Sequence, residues 1–191
     1  MSLYSLLLFV HVSGAICLFI GFGTWFLGIT AIARAAGVEQ VRTIADLLLI
    51  VRLVVPAGAL LVIIAGLMMT VAAWGIQTGW IAVALGSLII IGPVGTWVID
   101  PKVRSIAVLA NSLPDGPLPP TLAQRTHDRV LHLGLHTLLA MLFGIIFLMT
   151  IKPLLTNAIG AMMISALLGL ASGLLFMRAR RPTQSGHPHR Q

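Results

Sequence analysis

The chain has 191 residues, 58% of them hydrophobic and only 9% charged, with a mean hydropathy of +1.03. That balance excludes an ordinary soluble domain. The net charge of +7 is no nucleic-acid signature, since no aromatic-interleaved basic surface accompanies it, and the single Cys17 excludes an intrachain disulfide.

Five apolar runs lie near residues 4–33, 44–73, 80–99, 130–151 and 157–177. Each has about 20 residues or more, enough to cross a hydrocarbon core of about 30 Å at 1.5 Å per residue. Helices satisfy their own backbone amides in lipid, and the short alternating segments of a β-barrel are absent. The fold class predicted is all-α, a polytopic membrane bundle of five transmembrane helices forming one domain over residues 1–178.

Taken in chain order, the first run reads as a membrane helix and not as a cleaved leader, because no positive residue precedes Arg34. Gly37 is expected to cap its C-terminus. Glu39 then opens the second helix, which contains Arg52 and Pro56 and ends at Trp74-Gly75. Trp74 and Trp80 flank a short uncharged turn, as interfacial aromatics do. The third helix is expected to bend at Pro93 and to meet the membrane surface at Asp100-Pro101. The connection 100–129 continues it as an amphipathic stretch with apolar Val103, Ile106, Ala107, Leu109, Ala110 and Leu113, followed by the turn Pro114-Asp115-Gly116-Pro117. Thr121 and Gln124 form a capping-box signature for the fourth helix, which Lys152-Pro153 ends. The fifth helix begins near Asn157, and the basic tail 179–191 is expected to be disordered.

The basic residues sort onto one side of these spans. The first connection, the third and the tail hold Arg34, Arg42, Lys102, Arg104, Arg125, Arg129, Arg178, Arg180, Arg181 and Arg190, against Lys152 alone on the other side. Lys and Arg are retained in the cytoplasm, so the predicted orientation has the N-terminus outside and the C-terminus inside, in a bacterial inner membrane.

Ionisable groups inside a bilayer are costly, which makes the few present the candidates for chemistry. They are His11 in helix one, Arg52 in helix two, and His132 and His136 in helix four. His132 and His136, four apart, stack on one helix face and can offer imidazoles to a metal or a haem, or can only be hydrogen-bonded in packing. His11 has Gly14 and Ala15 on its own face, which leave room for a planar cofactor or for a close helix. Counting along the helices puts His11 about 13 Å and His136 about 24 Å from the same surface, so two separate sites fit better than one shared metal. Arg52 can bind a haem propionate or pair with Asp46, Asp100 or Asp128. With His11, the methionines Met68, Met69, Met149, Met162 and Met163 offer a soft Cu(I) site or simply fill gaps. Gly169 and Gly173 form a small-xxx-small motif for close helix contact or a homodimer, and a partner membrane subunit is the other association expected. No phosphate loop, nucleophile elbow or carboxylate dyad is present, so no catalytic residue is assigned.

Several segments also carry a resemblance. They are Leu8-Phe9-Val10-His11-Val12-Ser13-Gly14-Ala15, Arg52 with Pro56 and Gly58, Pro117 to Thr121, and Phe147 to Pro153. Through these, residues 1–153 resemble a family of small bacterial integral membrane proteins known as domain of unknown function 2269, which implies the architecture but no particular chemistry. The segment around His11 is also similar to copper-resistance-D-type membrane proteins and to membrane-bound protoporphyrinogen oxidases, which implies haem or copper handling. The function expected is a b-type haem redox protein using His11, His132, His136 and Arg52. Copper handling and a cofactor-free accessory or scaffold are the alternatives.

Overall fold

A computed structural model gives the structure of residues 2–75 and 77–179. Eight α-helices follow in order: α1 Leu3–Ile32, α2 Val38–Val51, α3 Val54–Met69, α4 Gly79–Pro93, α5 Asp100–Ser112, α6 Pro120–Thr126, α7 Arg129–Ile151 and α8 Leu155–Ala179. π-helical segments Thr70–Trp74 and Val94–Ile99 extend α3 and join α4 to α5. Five continuous stretches are long and apolar enough to cross a membrane: Leu3–Ile32, Val38–Trp74, Gly79–Ser112, Pro120–Ile151 and Leu155–Ala179. The protein is an all-α polytopic membrane bundle, and no strand occurs among the described residues. Of the tail expected to be disordered, Ala179 is the last residue of α8, and the rest, with His187 and His189, lies outside the described residues.

The second apolar run is not one helix, as expected, but two. It turns at Arg52 and Leu53. Pro56 has no N–H to bond the Arg52 carbonyl four residues back, so the ladder is interrupted there. On either side of the break the chain changes character. α3 is apolar all round, whereas α2 buries Val38, Val41, Ala45 and Leu48 on one face and exposes Glu39, Gln40 and Asp46 on another. The third run repeats this change. α4 is apolar all round, and α5 buries Val103, Ile106, Ala107 and Ala110 on one face. Between them Pro93 is followed by the π segment, which absorbs the missing backbone bond.

The breaks fall at one depth. Val54 to Trp74 and Gly79 to Ile99 each rise about 30 Å, the thickness of the hydrocarbon core. Beyond them α2 and α5 pair with each other as an extension about 20 Å long, at the end of the bundle that holds most of the basic residues. Arg42 fastens the pair. It donates from Nε to the Ala110 carbonyl (3.2 Å), from Nη2 to the Leu113 carbonyl (2.7 Å) and from Nη1 to Asp115 Oδ1 (2.7 Å). Asn111 Nδ2 donates to Asp46 Oδ1 at 3.0 Å.

Two expected caps fall elsewhere. α1 ends at Ala33, and Gly37 begins α2 with extended backbone while forming an isolated bridge with Pro117. The Thr121–Gln124 signature makes no side-chain cap, because α6 starts from Pro119 and stops at His127. The long α7 is capped instead by Asp128, whose carboxylate accepts from the Leu131 N–H at 2.9 Å. Lys152 does end α7, in a left-handed conformation, with Nζ 4.3 Å above the Trp74 ring.

Within the spans, helices meet where side chains are smallest. At the α1–α3 crossing a Cβ on Gly14 would lie 2.9 Å from the Gly58 carbonyl, and one on Gly58 would lie 2.8 Å from the Gly14 carbonyl. The backbones themselves are in contact, so both positions require glycine. A Cβ on Gly169 would lie 2.5 Å from the Thr137 Cα, and Gly173 is buried against Leu133. This corrects the expected homodimer through Gly169 and Gly173: the motif is already occupied within the chain, where it joins α8 to α7.

Candidate functional site

A cavity of about 780 Å³ opens between α1, α3, α4 and α7 in the half of the bundle nearer Trp74 and Trp80. His11 reaches it from α1. Its Nδ1 donates to the Val62 carbonyl at 3.0 Å, because a carbonyl can only accept. In the neutral ring, Nε2 then keeps its lone pair. A backbone carbonyl behind the imidazole is the arrangement that orients a metal-ligating histidine. Gly66 makes room for the ring, since a Cβ there would lie 3.1 Å from Cε1 and Nδ1. Met69 and Met149 line the same cavity, together with Tyr4, Thr70 and Lys152. Of the other methionines, Met162 is buried in packing against Gly144, while Met68 and Met163 are exposed on the outside of the bundle. Two of the five expected methionines therefore accompany His11.

His132 and His136 stand elsewhere. His132 is buried, donates from Nε2 to the Thr126 carbonyl at 3.0 Å and packs on Phe176. The His136 ring lies between Phe26 and Phe176, with centroids 4.8 and 5.3 Å away, and its Nδ1 shares a 2.9 Å hydrogen bond with Ser172 Oγ. Its Nε2 is buried with no hydrogen-bond partner among the described residues. Phe26 is fifteen residues beyond His11 on α1, so His11 and His136 are about 22 Å apart along the bundle. One metal between two imidazoles needs nitrogens within about 4 Å, so the two histidines do not share one.

Arg52, at the helix break, pairs with Asp100 (Nε to Oδ1, 3.1 Å) and not with Asp46 or Asp128. Arg104 Nε binds the other carboxylate oxygen at 2.9 Å, and Asp128 pairs with Lys102 at 2.6 Å. Arg52 and Asp100 also border a second cavity of about 340 Å³. Among the described residues no three His, Cys, Asp or Glu side chains converge on a metal position.

Sequence reasoning missed Val62, Gly66, Ser172 and Arg104. Gly58, Val62, Gly66 and Met69 follow one another at helical spacing, and that face was the signal available for the His11 partners.

A family model described as a predicted integral membrane protein, DUF2269, matches residues 5–153. The chain belongs to this family. The DUF2269 match runs from within α1 through the end of α7, so it includes His11, Arg52 and the lining of both cavities except Tyr4, and leaves α8 with Ser172 outside. No curated protein and no solved structure matches the chain.

Proposed function

We propose that this DUF2269 protein holds a b-type haem in the larger cavity, where His11 would ligate the iron, and takes part in electron transfer within a bacterial inner membrane, its basic end in the cytoplasm. The supporting observation is His11 itself: it lines a cavity of about 780 Å³, and its Nδ1 is engaged by the Val62 carbonyl, which in a neutral ring leaves Nε2 as the nitrogen free to ligate. That volume lies within the range of about 300–1,000 Å³ for cofactor and small-molecule sites. Met69 and Met149 offer thioethers on the same cavity, and His/Met ligation is one of the recognised haem pairs. A haem there would supply a one-electron couple, while the chain's own part is to orient the imidazole and to exclude water with apolar walls. This reading leaves out His136, whose ring lies between Phe26 and Phe176, His132, which packs on Phe176, and Arg52, whose carboxylate partner is Asp100.

A second reading is favoured by the same two methionines. His11 with two thioethers is a donor set for Cu(I). The two separate in one preparation. Protein purified in mild detergent from cells supplied with haem precursor and copper is expected to show a Soret band that shifts on dithionite reduction. Stoichiometric copper without a Soret band selects the copper site, and neither haem nor copper leaves His11 with a packing role alone.

A further inference from the structure

Arg52 and Arg104 share one carboxylate where the hydrocarbon core ends. Each reaches Asp100 through Nε, at 3.1 and 2.9 Å, so the three charges sum to +1. A guanidinium has five N–H donors in a planar fork. Among the described residues the terminal nitrogens of Arg52 and Arg104 have no further partner, and their side chains are 30% and 49% exposed. Donors for an anion therefore remain on both.

Behind Arg52 lies the cavity of about 340 Å³, bounded by α1, α3, α4 and the π segment Val94–Ile99. Apart from Arg52, Asp100 and Thr96 its lining is apolar or glycine. It reaches Ile63, eleven residues past Arg52 on the second span, and Leu88, twelve residues before Asp100 on the third. Both separations correspond to about 16–18 Å toward the tryptophan end. The slot thus runs from the interface into the hydrocarbon core, with Arg52 at its interfacial mouth and Arg104 beside it, outside the lining, on the shared Asp100. A free anion would engage only that mouth, whereas a chain with an anionic head engages the whole length. An arginine cluster at this depth faces lipid headgroups, and anionic ones are attracted to it.

We infer that this slot binds a bilayer lipid, with one acyl chain along Ala59, Ile63 and Leu88 and an anionic phosphate headgroup on Arg52 and Arg104. The site adjoins the His11 cavity at Leu18 and Leu88, which line both, but its headgroup contacts fall on residues that do not border that cavity.

The test is native mass spectrometry of delipidated full-length protein titrated with phosphatidylglycerol, with phosphatidylcholine and with inorganic phosphate. Phosphatidylglycerol is expected to bind at least about fivefold more tightly than phosphatidylcholine, the effect of one arginine at an anionic headgroup. Arg52→Gln should abolish that preference. Ala59→Phe, which fills the slot and keeps both arginines, should lower the occupancy of both lipids. Equal affinity for the two lipids in the unmutated protein overturns the inference without any variant. A preference that survives Arg52→Gln overturns it as well, as does unchanged occupancy in Ala59→Phe, or displacement of the lipid by inorganic phosphate at equal concentration, which would assign the arginines to a free anion.

Discussion

Within the hydrocarbon core these helices touch at glycines, while in the basic extension they are joined by amphipathic faces and by charged side chains bonded to carbonyls and carboxylates. Gly14 against Gly58 and Gly169 against Thr137 represent the first kind of contact. Arg42 on the end of α5, and Asp100 between two arginines, represent the second. The difference follows from the solvent. In lipid an apolar side chain gains nothing by leaving its surroundings for a neighbour, so close packing and small residues must hold the spans together. In water apolar burial becomes favourable again, and on the far side of the Arg52 break Val38, Val41, Ala45 and Leu48 form one buried face apart from the exposed Glu39, Gln40 and Asp46.

That contrast is most open to attack at the glycine crossings. Gly14→Leu should be the most damaging substitution in the molecule, costing about 3 kcal/mol or more, because backbone atoms of α3 occupy the new side chain's space. Gly86→Leu, at a position with no neighbouring atom within 4 Å, should be tolerated. Thermal unfolding in detergent compares the two, and equal losses would show that helix propensity matters more than contact.

At the junction, Asp100→Asn should cost about 1–2 kcal/mol. It leaves Arg52 and Arg104 facing each other, but both are partly exposed and solvent screens them. The loss should shrink in high salt, and a salt-independent loss would locate the cause in packing. In the extension, Asp128→Ala should cost about 1 kcal/mol as the cap of α7, while Asp128→Asn, which keeps an acceptor for the Leu131 N–H, should cost only a few tenths. Chemical denaturation curves of the two variants separate the cap from the Lys102 pair. The smallest effect is expected at the tryptophan end, where Lys152→Met removes an exposed cation–π contact with Trp74 worth about 0.5 kcal/mol.

The five spans were legible in the sequence because twenty-residue apolar runs and flanking Trp74, Trp80 and Lys152-Pro153 are one-dimensional signals. The helical continuation through Val103, Ile106 and Ala107 was legible for the same reason. α2 was not, because its Leu48, Leu49 and Ile50 run directly into the apolar α3 and hide the change in periodicity at Arg52. The capping-box pattern at Thr121 misled because a residue spacing does not say which helix it starts, and Asp128, seven residues later, supplies the cap. The partners of the candidate histidines lay beyond reach for another reason. His11 is oriented by a carbonyl on α3 and His136 by a hydroxyl on α8, and such pairings depend on tertiary contact alone. Depth counting did foresee that His11 and His136 stand apart, although it put them only about 11 Å apart along the membrane normal.

The central claim is that His11, and neither His136 nor His132, carries the cofactor. Reduced-minus-oxidised visible spectra of the protein purified after haem supplementation, measured for the unmutated chain, His11→Ala and His136→Ala, test it directly. The account predicts a Soret band in the unmutated chain, its loss in His11→Ala and its retention in His136→Ala. A band that persists without His11, or no band in the unmutated chain, contradicts it.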